Sequence, residues 1–219
     1  PGSEMDLRLQ NRPDPDGRMV NNVGTREKPV YESKIAKLKP DEIGYQKVLS
    51  LLQDNKKVKV EVTGTILKVL LNEPVKPGQK TTLEMDFEAQ VPVMIRRAGR
   101  NSFEGVALSM AQWYPKLAEY DFEGWHISQY IAREFYGVWG NFDVTIHIDR
   151  NYVLGGTGYL LNPQEVGHGY EDKAQKLNLP AGNKLKWHFI APNVHDFSWA
   201  ADPEYIHDQI TAENGVVLH

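Results

Sequence analysis

Apolar and polar side chains alternate with a period of two in several separate stretches of this chain. Residues 142–148 place Phe, Val and two Ile opposite Asp, Thr and His, and residues 185–189 and 83–89 follow the same pattern. Successive side chains of a strand point to opposite faces, so this pattern predicts half-buried strands. Residues typical of turns separate the stretches, at 74–78, 155–158, 180–182 and 214–215. Without a strand–helix–strand rhythm, the pattern predicts an all-β fold of antiparallel sheets, either a β-sandwich or curved sheets.

The region before residue 64 is less regular. Val58, Val60 and Val62 alternate with charged residues and Thr, which predicts another half-buried strand. The turn formers at 54–56 predict a hairpin from an earlier strand at about 45–52, and a helix over Glu42–Gln53 competes with that strand because its leucines fit either period. One short helix is expected near residues 171–177.

Large apolar side chains are scarce before residue 44. Residues 1–43 are rich in Pro, Asp, Asn and Gly, so we expect a polar, loop-rich segment followed by a β domain over 44–219. The chain closes on the apolar run 216–218. We therefore expect the natural domain to begin before residue 1 and further chain to follow residue 219.

Composition narrows the classes of function. The 219 residues carry a net charge of −4 and form no dense Lys/Arg cluster, which argues against a nucleic-acid partner. The chain has no cysteine, and therefore neither disulfides nor thiolate ligands. No apolar run approaches the roughly 20 residues of a membrane-spanning helix.

The seven histidines do not form a recognisable catalytic zinc motif. None is followed by Glu, which excludes an HExxH helix within these residues. His188, His195 and His207 are loosely spaced, and surface or hydrogen-bonded roles are favoured over a metal site. We expect no metal ligands, no tight zinc binding and no catalytic residue in this chain.

Other catalytic motifs are absent or weak. The sequence has neither a GxSxG elbow nor a Walker loop. The glycine-rich residues 155–158 are too short for a dinucleotide cradle and favour a strand bend or tight turn. Glu119 and Asp121 could form an acid–base pair of carboxylates, but charges at this spacing are common.

Aromatic residues concentrate in one segment. Residues 113–142 contain ten aromatics in 30 positions, against 10% in the whole chain. An irregular connection packed by its own rings is one interpretation, and a stacking platform for a sugar or peptide is the other.

Several motifs in this region, taken in order, are similar to those of one enzyme family. They are SMAQWYPKLAEYD at 109–121, GWH at 124–126, REFYG at 133–137 and GNFDVTI at 140–146. Further matches are PVKPG at 74–78, TGYLLNPQEV at 157–166 and NVHDFSWAAD at 193–202. Together they resemble the N-terminal β domain of aminopeptidase N-type zinc metallopeptidases (gluzincins), closest to the large bacterial members found in Bacteroidetes-like genomes. The likeness runs from about residue 44 to residue 218.

The resemblance implies a saddle-shaped β domain that precedes a thermolysin-like catalytic domain. That second domain, with its zinc and its HExxH helix, is absent from these 219 residues. The N-terminal domain would form a wall of the cleft, contacting its own catalytic domain and the peptide substrate. It would also lend a Gln or Glu to the substrate's free α-amine. Gln112 matches that position best, and Glu119 is the neighbouring candidate, because the spacing from Gln112 to Asp121 is shorter than in better-known members.

Three functions therefore stay open from the sequence. The first is the non-catalytic domain of a metallo-aminopeptidase, with an active parent protein. The second is an aromatic-rich β-sandwich that binds glycan or peptide. The third is a structural domain of a degenerate peptidase. Large bacterial relatives imply export to the periplasm or the cell surface.

Overall fold

The computed structural model describes residues 20–33, 38–95, 98–127 and 137–219. Within these ranges it contains eighteen short strands and one helix of a single turn. The strand pairs of defined register are all antiparallel. The predicted all-β class with antiparallel sheets is confirmed.

The chain forms two compact units. Unit 1 combines residues up to 99 with the segment 112–136, and unit 2 combines 100–111 with 137–219. The predicted division between residues 1–43 and 44–219 stays a prediction, because residues 1–19 and 34–37 lie outside the described chain.

In its described residues, unit 1 contains four small sheets. A hairpin pairs β1 (Val20–Asn22) with β2 (Tyr31–Ser33). A three-stranded sheet has the order β4-β3-β7, with β3 at Tyr45–Gln53, β4 at Lys56–Lys57 and β7 at Leu83–Gln90. Two further ribbons pair β5 (Lys59–Thr63) with β6 (Ile66–Leu70), and β10 (Tyr120–Asp121) with β11 (Gly124–Trp125).

For the residues around β3, the sequence allowed either a strand or a helix. β3 is a nine-residue strand, so the strand prediction is confirmed and the competing helix is wrong. Asp54 and Asn55 form the two-residue turn into β4, with φ of 47° and 66°. These are the residue types that accept the left-handed conformation of such a turn.

Buried Gln53 organises the next segment of unit 1. Its Oε1 accepts hydrogen bonds from the backbone N–H groups of Asn72 and Glu73, at 2.8 and 3.3 Å. Its Nε2 donates to the Glu73 carbonyl and to Thr81 Oγ1. The amide is thus fully used in holding the loop before β7, which removes the cost of burying it.

The strand β5 differs from its expected burial. Val58, just before it, is buried, but Val60 and Val62 are 39% and 69% exposed. The strand pairs only with β6 in a two-stranded ribbon. Alternation identified the strand, but the inward face of half-buried valines was wrong, because a ribbon of two strands covers little of its own surface.

Unit 2 has a sandwich-like arrangement of two sheets. One sheet has the order β12-β15-β14, with β12 at Gly140–Asp149, β14 at Tyr159–Leu160 and β15 at Lys184–Val194. The other has the order β13-β16-β9-β8, and its strands are β8 (Gly99–Arg100, at the unit boundary), β9 (Leu108–Met110), β13 (Val153–Gly156) and β16 (Trp199–Asp202). A final hairpin joins β17 (Ile210–Thr211) and β18 (Val217–Leu218).

The core of unit 2 follows the alternation read from the sequence. Leu185, Trp187 and Phe189 on β15 are at most 2% exposed, while the residues between them face outward. Phe197, fully buried, has its ring centroid 6.0 Å from that of Phe189 and 6.4 Å from that of Phe142 on β12. These large aromatic side chains bury much apolar area and contribute strongly to the stability of the unit.

The short helix lies outside its predicted place. The helix α1 spans Pro163–Val166, whereas residues 171–177 form turns, so the helix expected there is wrong. Asp172 accepts hydrogen bonds from the Ala174 N–H and from Gln175, and its own N–H donates to Gln164 Oε1. Side chains thereby engage backbone groups that a helix would need.

Candidate functional site

Gln112 is placed where the chain leaves β9 and passes into the second segment of unit 1. It is half-buried and has a φ of 54°, in the left-handed region. The other non-glycine residues with positive φ in the described chain are Asp, Asn or His. Those types tolerate this conformation, and Gln does so less readily. A glutamine held there is a strained position of the kind found at functional sites.

The side chain of Gln112 makes no hydrogen bond to any other residue that the structure describes. Gln53, Gln90 and Gln164, in contrast, all use their amides to hold neighbouring loops. Among the described residues, therefore, nothing engages the acceptor or the donors of the Gln112 amide.

Glu119 lies seven residues further on and is also half-buried. Its carbonyl accepts a hydrogen bond from the His126 N–H at 2.9 Å, which extends the β10–β11 hairpin by one pair. The acid–base pair considered for Glu119 and Asp121 is not what the geometry favours, because Asp121 Oδ1 lies 2.8 Å from His126 Nε2.

The three histidines weighed as a loose metal site lie in different settings in unit 2. His188 Nε2 is 2.7 Å from Asp143 Oδ1, and the His195 ring packs against Trp139 with centroids 5.4 Å apart. His207 stacks on Tyr170 at 3.6 Å and hydrogen-bonds His219 at 2.9 Å. Burial raises the pKa of Tyr170, so that this phenol stays neutral in the stack.

Potential metal ligands do converge at one place in the described chain. Single ligand atoms of Asp121, Glu123 and His126 all lie within 4.8 Å of one another. Neither Glu123 nor His126 was predicted from the sequence as a ligand. The signal that could have found them is the turn Phe122-Glu123-Gly124, which brings residues 121 and 126 onto one face of a tight hairpin.

Exposed aromatic side chains mark the same hairpin. The rings of Tyr120 and Trp125 face each other with centroids 4.9 Å apart. Tyr120, Phe122 and Trp125 are 61%, 95% and 58% exposed. Trp113 and Tyr114 pack edge to face at 5.3 Å. Tyr130, Phe135 and Tyr136, and most of the motif at 133–137, lie outside the described residues.

Unit 2 contains an open cleft of about 440 Å³. It lies against β13, β16 and β9 and is lined by Ser109, Met110, Ala111, Gly155, Gly156, Thr157, Ser198, Trp199 and Ala200. None of these residues carries an ionisable side chain, so the cleft offers shape and hydroxyl groups but no acid or base.

The glycine-rich stretch beside this cleft is a strand and turn, as expected, and not a phosphate cradle. Gly155 and Gly156 belong to β13, and Gly158 turns the chain into β14 with a φ of 89°. Thr157 Oγ1 lies 3.1 Å from both the N–H and the carbonyl of Ser198, which ties the turn to the start of β16.

Comparison with known proteins adds no further constraint. No protein-family model, no curated protein and no solved structure matches this chain. No helix in the described ranges is long and apolar enough to cross a membrane.

Proposed function

We propose that this chain is the non-catalytic N-terminal β domain of a zinc metallo-aminopeptidase, forming a wall of the substrate cleft and anchoring the peptide α-amine. The parent protein removes N-terminal residues from peptides and is exported to the periplasm or cell surface. The ordered motifs between residues 74 and 202 support this family, and an all-β fold is what the family resemblance implies.

The conformation of Gln112 is the observation that carries the anchoring role. A left-handed φ at a non-glycine residue costs about 1–2 kcal/mol. Such a cost is retained where the conformation serves a function, and here it accompanies an amide without a partner in the described chain. Glu119 is the second candidate, because it lies in the same segment and offers a carboxylate.

The chemistry asked of Gln112 is simple. Its Oε1 would accept a hydrogen bond from the substrate's α-ammonium group, a charge-assisted interaction that a blocked N-terminus cannot make. A neutral amide achieves this without bringing a second charge out of water. Zinc, held by the catalytic domain, would polarise the attacking water. This chain contributes position and specificity, and no proton transfer.

The test is kinetic and uses the full-length enzyme. We expect Gln112→Ala to raise KM for substrates with a free α-amine by roughly 5- to 150-fold, which corresponds to the 1–3 kcal/mol of a lost charge-assisted hydrogen bond. Gln112→Gly separates the amide from the backbone, because it removes the side chain but relieves the strain. Both variants should raise KM equally if the amide binds the amine.

The control is Gln79→Ala, the same chemical change in an exposed turn of unit 1. Its KM should match that of the unaltered enzyme. Unchanged KM in both Gln112 variants, with folding intact, would remove Gln112 from the site, and Glu119→Gln would then be tested in the same way.

The exposed aromatics of the β10–β11 hairpin favour a second candidate, a binding module for glycan or peptide. Tyr120 and Trp125 present adjacent rings to solvent, the arrangement used to stack on sugar rings. Binding of this chain to a glycan array, lost in Trp125→Ala, would support it. The parent gene separates the remaining alternatives: an HExxH motif encoded after residue 219 supports the aminopeptidase, and a β domain without that motif supports a structural role.

A further inference from the structure

The β10–β11 hairpin carries different chemistry on its two faces. Tyr120 and Trp125 are paired across the strands and share one face. Asp121 and His126, each the next residue along the chain, point to the other face, because side chains alternate along a strand. Glu123 lies in the two-residue turn between Asp121 and its partner Gly124.

The turn of this hairpin is stabilised by its own residues. Glu123 donates its backbone N–H to Asp121 Oδ1 at 2.8 Å, and Gly124 has a φ of 99° that a side chain would disfavour. The backbone therefore keeps Asp121 and His126 on one face, and the exposed Glu123 carboxylate can swing toward them.

The separations suit a bound cation. His126 Nε2 and Asp121 Oδ1 are 2.8 Å apart. Two adjacent ligands of a metal with bonds of about 2.1 Å are separated by about 3.0–3.4 Å, so a small outward shift admits an ion between them. The Asp121 and His126 side chains are 24% and 26% exposed, which limits competition from water.

The net charge of the three side chains also favours a bound cation. With His126 neutral, the three ligands carry a charge of −2, which a divalent cation neutralises. The Glu123 side chain forms no ion pair or hydrogen bond with any other described residue, so no contact within the described chain has to be broken to recruit it.

The ligand types select among cations. Imidazole is a good ligand for zinc and other first-row transition metals, whereas Ca²⁺ and Mg²⁺ prefer sites built from oxygen alone. A set of two carboxylates and one imidazole therefore favours Zn²⁺, with water completing the coordination.

We propose that Asp121, Glu123 and His126 form a Zn²⁺ site that fastens the β10–β11 hairpin and so orders its aromatic face. This site revises the expectation that the chain has no metal ligands. It is separate from catalysis and does not depend on the proposed aminopeptidase role, so either proposal can fail alone.

The chain offers a closely matched control. The turn Phe122-Glu123-Gly124 has a counterpart of identical sequence at Phe103-Glu104-Gly105. The two glycines have φ of 99° and 95°, and both phenylalanines are at least 95% exposed. The counterpart has Ser102 where the hairpin has Asp121, and Ala107 where the hairpin has His126. Glu123→Gln and Glu104→Gln thus make the same change in two similar exposed turns.

The experiment is a calorimetric titration of ZnCl₂ into residues 1–219. We expect one Zn²⁺ per chain, with affinity reduced at least about tenfold by Glu123→Gln and by Asp121→Asn, and unchanged by Glu104→Gln. His126→Asn should abolish binding. Zinc should raise the melting temperature of the unaltered chain and, at the same zinc concentration, raise that of Glu123→Gln by less.

Two further controls address other histidines. His188→Asn removes an imidazole that also pairs with an aspartate but lacks a third ligand. His207→Asn breaks the adjacent pair of imidazoles in unit 2. Both should leave zinc binding unchanged. Absence of binding, binding that survives Glu123→Gln and His126→Asn, or binding lost in His207→Asn would each overturn the proposal.

Discussion

Single residues with left-handed backbone mark the points at which this chain changes direction. At Asp54, Asn55 and Asn193 the conformation comes at low cost, because Asp and Asn tolerate the left-handed region better than residues with longer side chains. Gln112 does not belong to those tolerant residue types. The proposed anchoring role of Gln112 rests on this contrast.

Asp54 also predicts a dependence of stability on pH. Hydrogen bonds from the Thr82 N–H and from Thr81 Oγ1, followed by the charge of Lys56, hold its pKa below the usual range. A carboxylate whose pKa is lowered by folding stabilises the protein above its unfolded-state pKa, and that stabilisation is lost as pH falls through the folded-state value.

We therefore expect Asp54→Asn to lower the melting temperature at pH 7, because Asn keeps the turn but not the charge. The difference from the unaltered protein should shrink below about pH 4. Melting curves from pH 7 to pH 2.5 measure this, with the exposed Asp208→Asn as control. A difference that stays constant over that range would show that the charge of Asp54 contributes nothing.

At the scale of elements, the turn into β14 lies very close to β15 at Gly158. A Cβ built on Gly158 would press against the Ile190 carbonyl oxygen and lie 2.7 Å from the Ala191 Cβ. Gly158 also has a φ of 89°. Two independent reasons therefore require glycine here, steric space and backbone conformation.

Gly158→Ala should lower the free energy of unfolding by about 2–5 kcal/mol, as the sum of backbone strain and overpacking. Gly182→Ala is the matched control in the same unit, since its φ is also positive and no atom lies within 4 Å of its built Cβ. That variant should lose only the backbone part, about 1–2 kcal/mol. Urea denaturation compares the two, and equal losses would contradict the close packing.

The strands themselves could largely be predicted. Alternation located β7, β12 and β15 within a few residues, because side-chain direction in a strand follows from the local backbone alone, and the turn formers at 54–56 indicated β3. Prediction from local pattern failed where contacts with other segments determine the structure. The turns at 171–177 depend on Gln164, seven or more residues away, and the exposure of Val62 depends on how many strands join its ribbon.

On the scale of the whole molecule, the described chain brings together no group of three histidines, and no HExxH motif occurs in its sequence. We expect purified residues 1–219 to hydrolyse no aminoacyl-nitroanilide, with or without added zinc. Release of nitroaniline is the measurement, and the Asp121→Asn variant shows whether any turnover arises from the hairpin site. Metal-dependent turnover by the clean chain would contradict a purely supporting role.

The candidate sites were only partly accessible to sequence reasoning. Gln112 and Glu119 came from a family resemblance and stay predictions. The backbone of Gln112 and the lack of a partner for its amide in the described chain became visible only in three dimensions. Glu123 and His126 were missed because their meeting depends on the register of the β10–β11 hairpin. The two-residue turn sets that register, and a shift of one residue would place His126 on the aromatic face.

By itself, the sequence determined the all-β class, the main strands and the alternating core of β15, because these follow from the spacing of neighbouring side chains along one strand. The tertiary structure decided which strand faces were covered, which residues adopted a left-handed backbone and which potential metal ligands came together at the hairpin. Those outcomes depend on strand register and on contacts between distant segments. The spacing of neighbouring residues along the chain does not reveal either of them.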